Sequence, residues 1–383
     1  MQFTCKLKLF TLLCLFFLVY SVNLIAVNLS NSSEISLLTC SSGDELYSTF
    51  GHSAILVRDD SLQLNLVFNY GTFDFDTPNF YLKFINGDLN YMLSVTEYPR
   101  FLRSYAREGR QVVRNVLRLN KEERQALWDF LCINIQPENR FYRYDFFFDN
   151  CATRIRDVVF DLKHIDKNEF TNTNGSTYRD YLHTCASLST WSSQGVDLVL
   201  GIRSDFQASS YDRAFVPAYL DSLFHEADLI ENTSILLPQK SVNSPSPFIY
   251  RPFSASIWLL LIALFVTFLE RRVHSYCKFF DVVIFMAAFV VSVLLWYLWL
   301  FTKHYVCGVN INILWASILY LPIIVMLFIK KTAKPLRILC QLNCLFLVAF
   351  ILLSIFGVQY PPSMTYPIAA TLFMRNLLII RKR

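Results

Sequence analysis

The sequence predicts an α+β domain outside a membrane followed by an all-α transmembrane bundle, and three observations predict it. A basic start, Lys6 and Lys8, precedes the apolar run LFTLLCLFFLVYSVNLIAV. Residues 31 to about 250 have mixed composition, strand-like patterns ahead of helix-like ones, and no run long enough to cross a bilayer. From Phe253 onward apolar segments alternate with short loops. The bulk composition agrees: 54% of the 383 residues are hydrophobic and only 17% are charged.

Residues 1–30 read as a signal peptide or signal anchor, with any cleavage site near Ala26 to Ser33. Leu37-Leu38-Thr39 before Cys40 faintly suggests a lipoprotein box. The apolar run lies too far away and Thr39 is too large, so lipidation at Cys40 is rejected. Residues 31–237 form the expected exported domain. His52 to Arg58 and Leu64 to Tyr70 read as strands joined by the polar turn Asp59-Asp60-Ser61. Thr77 to Gly87 reads as a short helix with Pro78 in its first position. A strand at Leu89 to Val95, a helix at Pro99 to Glu108 and a strand at Gln111 to Leu119 follow.

Asn120 is placed to cap the next helix, with Glu122 and Glu123 in its first turn and Ala126, Leu127, Phe130 and Leu131 on its apolar face. Beyond Pro137, Phe141 to Phe148 leads into a second capped helix. Lys167 to Thr177 reads as a loop, and Tyr178 to Asp205 and Pro217 to Leu229 as mostly helical. Residues 238–252 (PQKSVNSPSPFIYRP) form a Pro/Ser linker.

The membrane domain, residues 253–383, holds five apolar segments: Ser254–Leu269, Phe280–Phe301, Ile311–Ile329, Ile338–Phe356 and Tyr366–Ile380. Arg271, Arg272, Lys278, Lys330, Lys331, Lys334, Arg337, Arg381, Lys382 and Arg383 all fall on one side, and Lys303 alone on the other. This asymmetry predicts that the basic side and the C-terminus are cytoplasmic. It also accounts for the formal net charge of +5, which is no sign of nucleic-acid binding. Arg375 interrupts the last segment and is expected to snorkel toward the basic end rather than meet a polar partner.

The chemistry centres on FFFDNCATRIRDVVFDL, residues 146–162. Ile155, Val158, Val159 and Leu162 recur at helical spacing, Asn150 sits at the N-cap, and Cys151 falls in the first turn. A thiol there is expected to ionise below its free pKa of about 8.5, favoured by the helix dipole and by Arg154 and Arg156. Such a Cys is more often a small buried residue or half of a disulfide. Its standing rises with His52, which follows Gly51 at the start of a strand. A thiol on a helix N-terminus facing a His on the adjacent sheet is the arrangement of papain-like sites, here with His before Cys in the chain. His164, His183 and His225 have no matching partner. The ten cysteines show no C-x-x-C pair and no zinc spacing, so no metal or other cofactor is expected. In an exported domain, one or two disulfides among Cys40, Cys132, Cys185 and Cys307 are open.

GDELYSTFGHSA (Gly43–Ala54), FNYGTFDFDTPNF (Phe68–Phe80) and YRYDFFFDNCATRIRD (Tyr142–Asp157) together resemble the exported domain of Lnb-type bacterial lipoprotein N-acyltransferases. Weaker echoes are Gly195–Gly201 and Val216 to Leu220. The resemblance covers most of residues 36–235, and the signal-plus-membrane layout fits it. It implies a permuted papain-like domain related in plan to NlpC/P60 and LRAT-like proteins. It also implies thiol-dependent N-acyl transfer at the bacterial inner membrane, with the catalytic domain on the periplasmic side. The donor would be a membrane phospholipid and the acceptor the N-terminal cysteine amine of a lipoprotein. Cys151 would be the nucleophile and His52 the general base and acid. Asn69 is the first choice, by analogy, to orient His52, with Asp74 second. Tyr47, Tyr70, Tyr144 and Asn150 are expected to line the site, and Arg154 to meet a lipid phosphate, although such an Arg more often pairs with Asp149 or Asp157. The rival readings are a periplasmic cysteine hydrolase, with water as acceptor, and a non-catalytic membrane receptor.

Overall fold

A computed structural model describes residues 27–185, 190–240, 247–273, 277–329 and 332–382. The expected leader helix lies outside the described residues. The N-terminal domain is organised by seven antiparallel strands: β1 (Glu34–Cys40), β2 (His52–Asp59), β3 (Leu64–Thr72), β4 (Asn90–Glu97), β5 (Val112–Leu117), β6 (Phe141–Arg143) and β7 (Ile230–Leu237). They pair in the order β6-β4-β3-β2-β1-β5-β7.

Strand alternation sends successive side chains to opposite faces. Leu37, Ile55, Phe68 and Tyr70 point to one face, where they pack with helices α3 (Lys121–Asn134), α4 (Cys151–Leu162) and α7 (Pro217–Glu226). Leu38, Ala54, Leu56 and Val67 point to the other, covered by Phe101 of α2 (Tyr98–Glu108). β1 is buried on both faces, yet the polar Ser36 and Thr39 lie among its buried residues, so no clean alternation marks it as a strand in the sequence. β7 is also unforeseen; it is an edge strand with mostly exposed or half-buried residues.

Helix α3 has the expected cap: Asn120 accepts from the Glu123 N–H and Glu123 returns a bond to the Asn120 N–H. The helix expected from Thr77 starts later, as α1 (Phe80–Asn86). Asp74 accepts from the Asp76 N–H and the Thr77 N–H bonds back to the Asp74 carbonyl, so Thr77 and Pro78 are spent on a turn. Asn79 then enters the helix with φ of 58°, a left-handed value Asn tolerates. Helices α5 (Tyr178–Cys185) and α6 (Trp191–Val199) fall within the region expected to be helical.

All eight described cysteines are free thiols, so none of the disulfides left open among Cys40, Cys132, Cys185 and Cys307 is formed. Cys40 faces α2 and Cys132 packs on the opposite face, while Cys185 and Cys307 lie on other elements.

In the C-terminal part, α8 (Pro252–Arg272), α9 (Lys278–Phe301) and α12 (Ala333–Ile355) are long and apolar enough to cross a membrane. The third expected segment is broken into α10 (Asn312–Trp315) and α11 (Tyr320–Leu327). Pro322 lacks the N–H that would bond the carbonyl four residues back, which favours the break ahead of it. The last helix, α13 (Thr365–Lys382), contains Arg375, fully buried. Arg375 does not snorkel: it donates to Asp281, Glu270 and Thr267 at 2.5–3.1 Å. Two carboxylates on α8 and α9 hold it more strongly than a reach to water would.

The two parts meet through main-chain bonds. The Gly201 N–H donates to Val306 O and the Ile202 N–H to Val309 O, at 2.8 and 3.0 Å. Asn310 donates to the Leu198 and Val199 carbonyls, and Gln359 to the Leu200 carbonyl. A Cβ on Gly201 would overlap the Gly308 carbonyl, so glycine is what permits this approach.

Candidate active site

Helix α4 begins as its sequence predicts, with Asn150 as cap. Its side-chain oxygen accepts from the Ala152 and Thr153 N–H groups at 2.8 and 2.9 Å, and Thr153 Oγ1 accepts from the Asn150 N–H. The Asn150 amide nitrogen donates to the carbonyls of Phe146 and Phe215, both at 2.9 Å. Every polar atom of that side chain is therefore engaged. Asn150 is buried, and its side chain fixes the start of the Cys151 helix.

Cys151 occupies a notch in the sheet. Regular β2–β3 pairing runs from Asp59 and Leu64 to Ile55 and Phe68, and β3 shifts register against β4 between Asn69 and Thr72. Gly71 lies in that irregular stretch at φ of 80°. A Cβ there would stand 3.5 Å from the Cys151 Cβ and 3.6 Å from the Tyr144 ring. Ser53 lies beyond the β2–β3 pairing, and its N–H favours the ionised form of the Cys151 thiol.

His52, the neighbour of Ser53, lies 3.3 Å through Nε2 from Asn69 Oδ1. The Asn69 amide nitrogen donates to Val67 O at 3.2 Å, which turns the oxygen toward the imidazole. Nε2 then carries the proton and Nδ1 is the free base. Burial pushes the His52 pKa down to about 4; Asn69 opposes the shift and Arg110 adds to it. Cys40 pairs with His52 across β1 and β2. Burial pushes the Cys40 thiol up to about 12 although Tyr105 and Arg110 oppose this, and Cys40 and Tyr105 both feel the charge of Cys151. The Cys151 helix packs against β2 and β3, with Gly71 beside the Cys151 Cβ.

The ionisation expected of Cys151 is reversed. Burial raises its pKa, outweighing the N–H groups of Ser53, Ala152 and Cys151 itself. At neutral pH both the Cys151 thiol and the His52 imidazole rest in their neutral forms.

The other sequence candidates divide. Tyr144 lines the notch and stacks on Tyr91, with ring centroids 4.4 Å apart. Tyr47 is exposed and meets the edge of Phe73. Tyr70 is core: it is buried and its hydroxyl donates to Asn134. Asp74 serves its own turn and does not orient His52. Arg154 forms a two-pronged pair with Asp149 at 2.6 and 2.9 Å and lies 3.5 Å over the Tyr142 ring. Pairing with Asp149 is the alternative named for Arg154 from the sequence. Sequence reasoning missed Ser53, whose backbone matters and whose side chain gives no signal. It also missed Gly71, although a glycine after Asn69-Tyr70 in a strand pattern is a sign of close approach.

No group of three or more metal-ligating side chains occurs among the described residues.

Comparison with curated proteins and with solved structures gives no match. Two family models do match: the Lnb N-terminal periplasmic domain over residues 23–184 and the Lnb transmembrane domain over residues 243–383. These matches follow one another along the chain as the sheet domain and the apolar helices do. The chain belongs to the Lnb family, a periplasmic domain joined to a membrane domain.

Proposed function

We propose that the protein is a thiol-dependent N-acyltransferase that moves a fatty acyl group from a membrane phospholipid to the N-terminal cysteine amine of a bacterial lipoprotein. The observation that carries this reading is Cys151 at the capped start of its helix, packed beside Gly71 on the strand whose Asn69 holds the His52 imidazole. Family membership and a membrane domain support a lipid-anchored substrate, because a soluble substrate needs no multi-helix anchor. In this reading the domain is a permuted papain-like thiol enzyme, with His52 and Asn69 on adjacent strands ahead of the Cys151 helix.

The reaction runs in two halves. As Cys151 attacks the donor ester carbonyl, its proton passes to His52 Nδ1 and a C–S bond forms. The tetrahedral oxyanion meets the Cys151 N–H, with the Ser53 N–H across the notch; the Ala152 and Thr153 N–H groups are engaged by Asn150. The ester C–O bond breaks, and His52 returns the proton to the departing lysolipid alkoxide. The acceptor amine then attacks the thioester, the C–S bond breaks, and a proton from nitrogen passes through His52 to the leaving thiolate. The amide product and the free thiol close the cycle. A neutral resting pair suits this order, since the base is unprotonated before the donor arrives.

Basic residues concentrated beside α8, around the start of α12 and at the end of α13 support a cytoplasmic C-terminus. The test is the purified full-length protein with phospholipid and a diacylated lipopeptide, read by mass spectrometry. An N-acylated peptide and an acyl group on Cys151 are expected, both lost in Cys151→Ala. Product undiminished in Cys151→Ala overturns the mechanism. Free fatty acid alone makes the protein a hydrolase.

A further inference from the structure

Helix α1 has the sequence FYLKFIN, one charge in seven residues, and none of its residues is buried. Tyr81 is 76% exposed, and Leu82, Phe84 and Ile85 are exposed beside it. An apolar patch of this kind on a folded domain marks a contact surface. Its position says what it contacts. The Lys303 N–H donates to Asn86 O, His304 Nε2 lies 3.0 Å from Phe84 O, and the Tyr297 hydroxyl donates to Asn86. Lys303 also pairs with Asp88. These partners stand at the outer end of α9, one of the helices long enough to cross the bilayer. Helix α1 is thereby fastened to the end of α9 and the loop that follows it.

From α1 a row of rings leads inward. Phe80 lies 5.7 Å from Phe73, Phe73 lies 5.4 Å from Tyr91, and Tyr91 stacks on Tyr144 at the Cys151 notch. We propose that α1 lies in the outer-leaflet surface and that this row guides one acyl chain of a leaflet phospholipid to Cys151. The inference rests on the acyltransferase reading for its endpoint, while the membrane contact of α1 stands on geometry alone.

The test uses the full-length Cys151→Ala protein in phospholipid nanodiscs, so that no adduct depends on turnover. A photoreactive benzoylphenylalanine is placed at Tyr81, at Leu82, or at Leu62 on the turn at the far end of β2 and β3. Phospholipid adducts are expected at the first two positions, with at least tenfold less at the third. Equal labelling at all three, or none at Tyr81 and Leu82, overturns the proposal. In the otherwise native chain, Leu82→Asp is expected to slow transfer from bilayer phospholipid at least tenfold; an unchanged rate overturns the delivery role. Absence of transfer by the native protein strikes the acyltransferase reading instead and leaves the adduct pattern to decide the membrane contact.

Discussion

Asn69 presents its amide oxygen to His52 Nε2 at 3.3 Å while the nitrogen of the same amide is tied to the Val67 carbonyl. The strand backbone thus dictates which way the amide faces, and the amide dictates the imidazole tautomer. Asn69→Ala removes that instruction without touching either reacting atom. It is expected to lower kcat by roughly 10–100-fold, as small misorientations do, with little change in KM. Steady-state N-acylation of a diacylated lipopeptide checks it.

Proton affinities give a second expectation. Burial raises the Cys151 pKa and lowers that of His52 to about 4. Alkylation of Cys151 by iodoacetamide is therefore expected to climb steadily with pH up to and beyond the ordinary thiol range. A plateau reaching down to acid pH, the mark of a preformed thiolate–imidazolium pair, would contradict it. The same shift acts on stability. The folded His52 resists protonation more than its unfolded value of 6.5, so its contribution is whole above pH 6.5 and falls away as pH drops toward 4. Thermal melts of His52→Gln are expected to show less dependence on pH across that window.

Asn150→Ala deletes a cap and two bonds to carbonyls. Losing the cap alone costs about 0.5–2 kcal/mol, and the stranded Phe215 and Phe146 carbonyls add to it. The melting temperature is expected to fall by several degrees. Activity is expected to fall further than the folded fraction does, because Asn150 sets where Cys151 stands. Circular dichroism together with turnover per folded molecule separates the two effects.

Arg375→Leu takes the guanidinium away from the buried Glu270 and Asp281 carboxylates among apolar helices. A destabilisation of about 3–5 kcal/mol is expected, seen as early aggregation on heating in detergent. Replacing both carboxylates with Leu in the same chain is expected to recover most of it.

Gly201→Ala is expected to break the joint between the two parts, since its methyl meets the Gly308 carbonyl. Limited proteolysis is expected to cut residues 303–310 faster. Transfer between membrane-anchored substrates is expected to drop even where the sheet domain keeps its own melting transition.

Much of this molecule was legible before any coordinates. The spacing of Ile155, Val158, Val159 and Leu162 and the Asn150 cap located the helix start, because both signals are local. His52, Asn69 and the Asn120 cap were legible for the same reason or through family resemblance. What stayed hidden depends on neighbours distant in sequence. The thiol pKa turned on burial and not on the helix dipole. Arg375 looked like a snorkelling residue because Glu270 and Asp281 are about a hundred positions away. β1 shows no clean alternation, with Ser36 and Thr39 among its buried residues, and β7 gained its identity only by pairing with β5. The part played by Ser53 belongs to a main-chain N–H, which every residue but proline possesses.

The backbone splice between Gly201–Ile202 and residues 306–309 carries one last consequence. A head wired this way to the outer loops cannot bob on a leash, so the altitude of its sulfur above the leaflet is a constant of the molecule. Under the proposed acyl transfer, all adjustment of height then falls to the client. Clients with a long slack stretch behind the modified residue would be served readily, and those whose folded body begins at once would be held off by collision.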